Sequence, residues 1–364
     1  MSIITTAALS RDPGEPFSLE QVHIDGPRAD EILVRIVASG ICHTDLVTRP
    51  AGSAQRPVLL GHEGAGIVEQ VGAEVTTVRP GDHVVLTFRH CGACRNCAAG
   101  RPAYCLKADA LNTFGRRADR SPRVTVDGAR VLDGFFGQSS LAGYALSTED
   151  NTVTVDPSVD LALVASLGCG FQTGAGAVLN VLAPQHDSWL ALFGAGAVGM
   201  AALLAAHTAE GVRTIVVETS PQRRDLALEL GASEVIDPAE CDSAERIRAL
   251  TGEGAAYAVD TTGIPAVLGD AVRALAVGGT VVALGLGAGV PPVDMRDLVM
   301  NGKSIRGCLE GDSVPSVFIP RLVELYRAGR LPLDRLVSVY PSAEIEVALD
   351  DQRTGKIVKP VLRW

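Results

Sequence analysis

The chain has 364 residues, enough at roughly 150 per domain for two or three domains with cores of real size. Hydrophobic residues make up 47%, charged residues 20% and aromatics 4%, a balance that excludes a disordered chain or a disulfide-rich miniature. Lys and Arg number 32 against 42 Asp and Glu, and the resulting charge of −10 argues against nucleic acid or an anionic membrane as partner.

The N-terminus, MSIITTAALS, lacks a basic start followed by an apolar run, so no secretory signal is expected and the protein is assigned to the cytoplasm. Residues 1–170 alternate short β-branched runs (EILVRIVAS, GAGIVEQV, HVVLTF) with Gly, Pro and Asp turns, which predicts an irregular, mostly antiparallel β domain. Residues 171–308 alternate apolar runs (WLALFG, TIVVE, YAVDTTG, TVVALG) with Ala- and Leu-rich helical stretches, the pattern of a doubly wound parallel sheet. The tail, 309–364, holds a helix candidate (VFIPRLVELYRAGR) and ends in the strand-like KIVKPVLRW, expected to return to the first domain. The fold class is therefore α/β, with a discontinuous domain of 1–170 and 309–364 and a second domain of 171–308. Two uncharged stretches, 161–186 and 189–209, reach membrane length. The first holds Gln172, Asn180 and Pro184, and the second is broken by Gly194, Gly196 and Gly199, so no span is expected.

Cys91, Cys94, Cys97 and Cys105 read C-x2-C-x2-C-x7-C within a loop-like stretch. Four thiolates this close wrap one tetrahedral zinc and leave no open position, so the site stabilises a loop and cannot activate a substrate. Unliganded thiols and an iron–sulfur cluster are the alternatives. A second set is dispersed: Cys42 in GICHTD, His62 and Glu63 in GHEG, and Cys169 in GCGFQTG. Two cysteines and a histidine with a free fourth position form the ligand set of a catalytic zinc, whereas each residue alone reads equally well as core.

Gly194-Ala195-Gly196-Ala197-Val198-Gly199 follows the strand-like SWLALF and opens a helical stretch, so G-x-G-x-x-G stands in the context a dinucleotide needs. The first glycine turns the chain, the second admits pyrophosphate and the third packs helix on sheet, while the helix N-terminus meets the phosphate charge. Glu218 ends the next strand, where a carboxylate accepts hydrogen bonds from the ribose hydroxyls and repels a 2′-phosphate. Arg223 and Arg224 follow and partly offset that repulsion; NAD is favoured over NADP.

Together these motifs resemble the zinc-containing medium-chain alcohol dehydrogenases along essentially the whole chain. GICHTDL and IRGCLEGDSVPSVFIPRLVELY are similar to the aryl- (benzyl-) alcohol dehydrogenase branch. The resemblance implies a Rossmann domain beside a GroES-like catalytic domain, two Zn²⁺ per chain, NAD, and reversible oxidation of a primary aryl or allylic alcohol to its aldehyde. In that reading Cys42, His62 and Cys169 hold the catalytic zinc, with Glu63 close behind it as a transient ligand. Asp45 orients His62, and Thr44 relays the alcohol proton toward the nicotinamide ribose. His43 and Lys359 approach the pyrophosphate and Arg223 the adenosine ribose. Thr173 and Leu284 to Leu286 flank the nicotinamide, and Phe88, Phe136 and Leu286 are candidate pocket walls.

Two positions depart from family relatives. Val47 stands where many carry the histidine that finishes the proton path. Asp109 stands where glutathione-dependent formaldehyde dehydrogenases place an arginine, which argues against that activity. The rival readings are a terpenoid (geraniol-like) or aliphatic alcohol dehydrogenase, a zinc-independent quinone or enoyl reductase of the same fold, and a non-catalytic NAD- and zinc-binding protein. The expected partners are a small alcohol or aldehyde and a second copy of the chain in a homodimer, with a tetramer as alternative.

Overall fold

The glycine-punctuated apolar runs of the N-terminal half form antiparallel strands, and the helix-alternating runs after them form parallel ones. The structure is a computed structural model and describes residues 2–12 and 14–364. The chain divides into two compact units, Met1–Cys169 with Val314–Glu324 and Leu333–Trp364, and Gly170–Ser313 with Leu325–Pro332.

In the first unit the central strand is Glu31–Gly40, buried along most of its length because EILVRIVASG is apolar on both faces. Glu63–Val71 lies antiparallel along one edge. The other edge is shared by Tyr144–Thr148 and the C-terminal strand Lys359–Arg363, both antiparallel. The expected return of the tail to the N-terminal sheet is thus made by main-chain pairing. The register sets Gly40 opposite Glu63 on one side and Val361 on the other. That register brings three distant segments to one strand end.

A buried ionic network fastens the excursion after the cysteine cluster to this sheet. Arg117 Nε and Nη2 donate to the two oxygens of Glu31 at 2.8 and 2.6 Å, and Nη1 donates to Asp25 at 2.6 Å. The Arg117 and Glu31 side chains are 5% and 4% exposed, so each charge needs the other to remain buried.

The second unit is a six-stranded parallel sheet. Numbered by appearance, its strands run 3-2-1-4-5-6 from Glu234–Ile236 to Ser304–Gly307, the order of a doubly wound nucleotide-binding fold. Its first strand, Trp189–Phe193, is central and leads into the helix Ala197–Ala206, which is almost wholly buried. That burial explains why 189–209 reads like a membrane segment. Among the described residues no single helix is long and apolar enough to cross a membrane.

Candidate functional site

The central strand ends at Gly40, and the chain turns through Ile41 into the short helix His43–Thr48, with Cys42 as its N-cap. Asp45, the third helical residue, is fully buried and accepts the Cys42 N–H at 2.9 Å through one oxygen. Its other oxygen accepts the Gly61 N–H and faces His62 Nδ1, each at 2.9 Å. One carboxylate thereby caps a helix, fixes a turn and orients a ring. The turn itself requires glycine, since Gly61 has φ +97° and a Cβ would strike the Leu141 backbone.

With Nδ1 engaged, His62 presents Nε2, which is buried without a hydrogen-bond partner. Ligand atoms of Cys42, His62, Glu63 and Cys169 all lie within 4.8 Å of one another. Burial alone would hold the imidazole neutral, but the Asp45 carboxylate and Cys42 outweigh it and raise its pKa. The Cys42 thiol lies well below its ordinary value, chiefly through its hydrogen bond with Cys169 and against the effect of burial. Two soft sulfurs, one tending to thiolate, and an aimed imidazole nitrogen fit a zinc ion with a position to spare. Cys42 Sγ also reaches Thr44 Oγ1 at 3.8 Å, so the expected relay hydroxyl borders the cluster.

The cluster has further supports, among them Phe136, one of the candidate pocket walls. Phe136 stacks on the His62 ring with centroids 4.5 Å apart, and Phe135 meets it edge-on at 5.3 Å. Phe136 holds this position in a left-handed backbone conformation, φ +50°. Gln138 donates to the His62 and Thr87 carbonyls at 3.0 and 3.1 Å and accepts the Gly64 N–H at 3.1 Å. The only trace of this brace in the sequence is the glycine-flanked GFFGQSS.

Lys359, which the resemblance assigns to the pyrophosphate, has its ammonium held within its own unit. It is 2% exposed, pairs with Glu63 at 2.6 Å and donates to the Ile41 carbonyl at 2.9 Å. Burial pushes the ammonium toward neutrality, while Glu63 and Cys42 more than restore its charge. Burial likewise raises the Glu63 carboxyl, against the pull of Lys359. Gly40 makes room for this pair, because a Cβ there would overlap the Glu63 carboxylate.

The sulfurs of Cys91, Cys94, Cys97 and Cys105 also lie within 4.8 Å of one another. A tetrahedron of zinc–sulfur bonds about 2.3 Å long has edges of about 3.8 Å, so little movement closes it. Backbone N–H groups of Leu106 and Cys91 already point at Cys94 and Cys105 sulfurs, at 3.4 and 3.3 Å. The Leu106 and Cys97 amides hold the Cys94 thiol down to about 6, whereas burial and its thiol neighbours push Cys97 up to about 12. The donor set fits a closed structural site.

In the second unit Gly194 takes φ +93°, and a Cβ on Gly199 would overlap the Gly194 carbonyl. A Cβ on Gly196 would meet nothing within 4 Å, so no protein contact demands a glycine there. The space belongs to something that approaches the loop, as a pyrophosphate does. Beside it lies a cavity of about 330 Å3 lined by Gly194, Gly196, Glu218, Thr219, Arg223 and Thr262 among others. Glu218 is 8% exposed and does more than face that cavity: it accepts the Ala195 N–H at 2.7 Å and the Ser220 N–H at 2.9 Å. Val198 and Thr173 are half-buried, Leu284 N–H donates to the Asp260 carbonyl at 2.8 Å, and Leu286 is 84% exposed. Of the candidate pocket walls, Phe88 is buried. His43 is exposed on its helix.

Comparison with known proteins agrees with this geometry. Residues 28–156 match the alcohol dehydrogenase GroES-like domain and residues 197–327 the zinc-binding dehydrogenase family. Geraniol dehydrogenase from Castellaniella defragrans is 45% identical, covering 99% of this chain and 98% of the relative. The crystal structure of an alcohol dehydrogenase zinc-binding domain protein from Burkholderia ambifaria superposes with a TM-score of 0.95 at 47% identity, covering 100% of this chain and 99% of that one. Benzyl alcohol dehydrogenase from Acinetobacter calcoaceticus superposes with a TM-score of 0.94 at 40% identity, covering 99% of each chain. Two domain matches and relatives aligned end to end leave one conclusion: the chain belongs to the zinc-containing medium-chain alcohol dehydrogenase family.

Proposed function

We propose that the protein oxidises a primary alcohol whose carbinol carbon adjoins a π system, benzylic or allylic, to the aldehyde and back, with NAD as hydride acceptor. The observation that carries this reading is the convergence of Cys42, His62 and Cys169 on one point, with Glu63 beside them. Zinc bound there supplies a Lewis acid that brings an alcohol hydroxyl toward ionisation near neutral pH. Cys42 and Cys169 hold the metal as thiolates. Asp45 keeps the Nδ1 proton on His62 so that Nε2 offers its lone pair. Glu63 stays beside the metal with its charge compensated by Lys359. Thr44 accepts the alcohol proton and passes it toward the nicotinamide ribose. Val47 is 64% exposed and cannot titrate, so the last transfer goes to water. Gly194, Gly196, Val198 and Gly199 cradle the pyrophosphate with His43 beside it. Glu218 and Arg223 hold the adenosine ribose, and Thr173, Leu284 and Leu286 flank the nicotinamide. Two of the three relatives carry a substrate in their names, geraniol and benzyl alcohol, each with a double bond or ring beside the carbinol carbon. Phe136, stacked on His62, offers an aromatic face near the reacting carbon.

An NAD-reduction screen over benzyl alcohol, geraniol and butan-1-ol tests this directly. The two π-activated alcohols are expected to exceed butan-1-ol in kcat/KM by about tenfold or more, the scale on which apolar pockets discriminate. Equal rates would favour the aliphatic reading. Metal analysis should give two zinc ions per chain, and one or none would favour the zinc-independent or non-catalytic readings.

NAD is expected to be preferred over NADP by about tenfold or more in kcat/KM, because the Glu218 carboxylate faces the cavity with little freedom to move. Glu218→Ala should shrink that ratio. It should also weaken NAD binding, since the Ala195 amide loses its acceptor. An unchanged ratio would show that Glu218 does not discriminate.

The strand Ser304–Gly307 ends the parallel sheet, with all four residues exposed and, among the described residues, a strand partner on one side only. The preceding helix exposes Val299 and Met300 at 68% and 71%. Pairing of this edge with a second copy fits a homodimer, which light scattering at micromolar concentration should report. None of the eight cysteines is in a disulfide, which is compatible with a reducing compartment.

A further inference from the structure

The two arginines that follow Glu218 are placed differently, and the second is held by a partner of its own. Arg224 lies in the helix Pro221–Glu229, and Asp237 directly follows the strand Glu234–Ile236. That strand runs parallel beside Arg213–Val217, so both residues stand at the same edge of the sheet as Glu218. Arg224 Nη1 donates to the Glu218 and Thr219 carbonyls at 2.7 and 2.8 Å, and Nη2 pairs with Asp237 at 2.8 Å. Both side chains are only 17% exposed. The carbonyls that Arg224 grips belong to residues lining the cofactor cavity, whereas Arg224 itself does not line it. The guanidinium therefore lies behind the cavity wall, with its charge cancelled by Asp237. Asp237 is fixed in turn, since its other oxygen accepts the Ala239 N–H at 2.9 Å.

We propose that Asp237 is a specificity-determining residue that discriminates against NADP by holding Arg224 away from the 2′-phosphate position. This rests on the reading of Glu218 as the residue that faces the ribose hydroxyls. Glu218 repels the phosphate, and Asp237 withholds the cation that would otherwise attract it. Neither acts on the 2′-hydroxyl form in the same degree, because that form carries no charge at this point. A freed arginine is suited to the phosphate, since charge-assisted bonds to phosphate are among the strongest that a side chain forms.

The test is calorimetric titration of the full chain with 2′,5′-ADP and with 5′-ADP, which reads binding without turnover. Asp237→Asn keeps the shape and the acceptor for Ala239. It is expected to tighten 2′,5′-ADP by about tenfold and to leave 5′-ADP within about twofold. In an Arg224→Gln background the same change is expected to move 2′,5′-ADP by less than about twofold, because no arginine is left to release. Asp237→Glu, which keeps the charge, should bind both ligands as the wild type does. An unchanged 2′,5′-ADP affinity in folded Asp237→Asn would overturn the proposal. So would an equal gain in the Arg224→Gln background, which would show a plain field effect of the carboxylate. Should Asp237→Asn not fold, Asp237→Ser with and without Arg224→Gln decides: a gain in 2′,5′-ADP affinity that requires Arg224 supports the clamp, and no gain, or one that survives without Arg224, overturns it. Failure of the underlying reading looks different. The wild type would then bind 2′,5′-ADP as tightly as 5′-ADP, and Glu218→Ala would alter neither.

Discussion

Cys42→Ser is expected to lower kcat/KM by about a thousandfold or more while the melting temperature and NADH binding scarcely change. The arithmetic is that of a lost Lewis acid: roughly 4 kcal/mol of transition-state stabilisation corresponds to three powers of ten. The substitution is chosen for what it spares. Serine is itself a good N-cap, so the helix His43–Thr48 keeps its start and Asp45 keeps the backbone N–H at residue 42. His62→Ala should be equally inactive but less stable, because the ring fills the space between Phe135 and Phe136 and partners the buried Asp45. Asp45→Asn should fall between, with metal affinity down by about ten- to a hundredfold, since it disturbs the ring and removes no ligand. Kinetics with benzyl alcohol, zinc content and thermal melts read all three. Turnover of Cys42→Ser within about tenfold of wild type would remove this cluster from the chemistry.

The parts of this site that could be read from sequence are those whose chemistry is local. GAGAVG names itself, because one tight turn between a strand and a helix supplies the positive φ, the close packing and the open space in six consecutive residues. The four clustered cysteines do likewise. Cys42, His62 and Cys169 have no such spacing, and family resemblance rather than geometry joined them. What joins them physically is register: Gly40 lies opposite Glu63, and the carbonyl of Gly168 is fixed by the Thr87 hydroxyl at 2.7 Å. Lys359 was the harder case. Its partner carbonyl lies 318 residues away, and only the pairing of the last strand with the central one reveals where the ammonium sits. A charge enclosed to 2% exposure must be neutralised by what touches it, and Glu63 does so here. Arg224 repeats the lesson, since it lies on a helix and its partner Asp237 follows the next strand.

The cysteine cluster should fail in a different way from the dispersed one. Cys97→Ser is expected to lower stability by about 3 kcal/mol or more, equivalent to roughly 6–12 °C in Tm for a unit of this size. Enzyme that remains folded should keep much of its specific activity. The loop Cys91–Cys105 has little else to hold it: its helical segments span four and three residues, and Cys91, Cys94 and Cys97 are only partly buried. Cys97 is the informative position because burial and its thiol neighbours push it up to about 12, whereas a bound cation favours its thiolate. A chelator should reproduce the loss of stability in the wild type, and Cys97→Ser should bind one zinc ion fewer. An unaltered Tm at reduced zinc content would show that the loop is held by its own packing, and an unaltered zinc content would show that these cysteines are not its ligands.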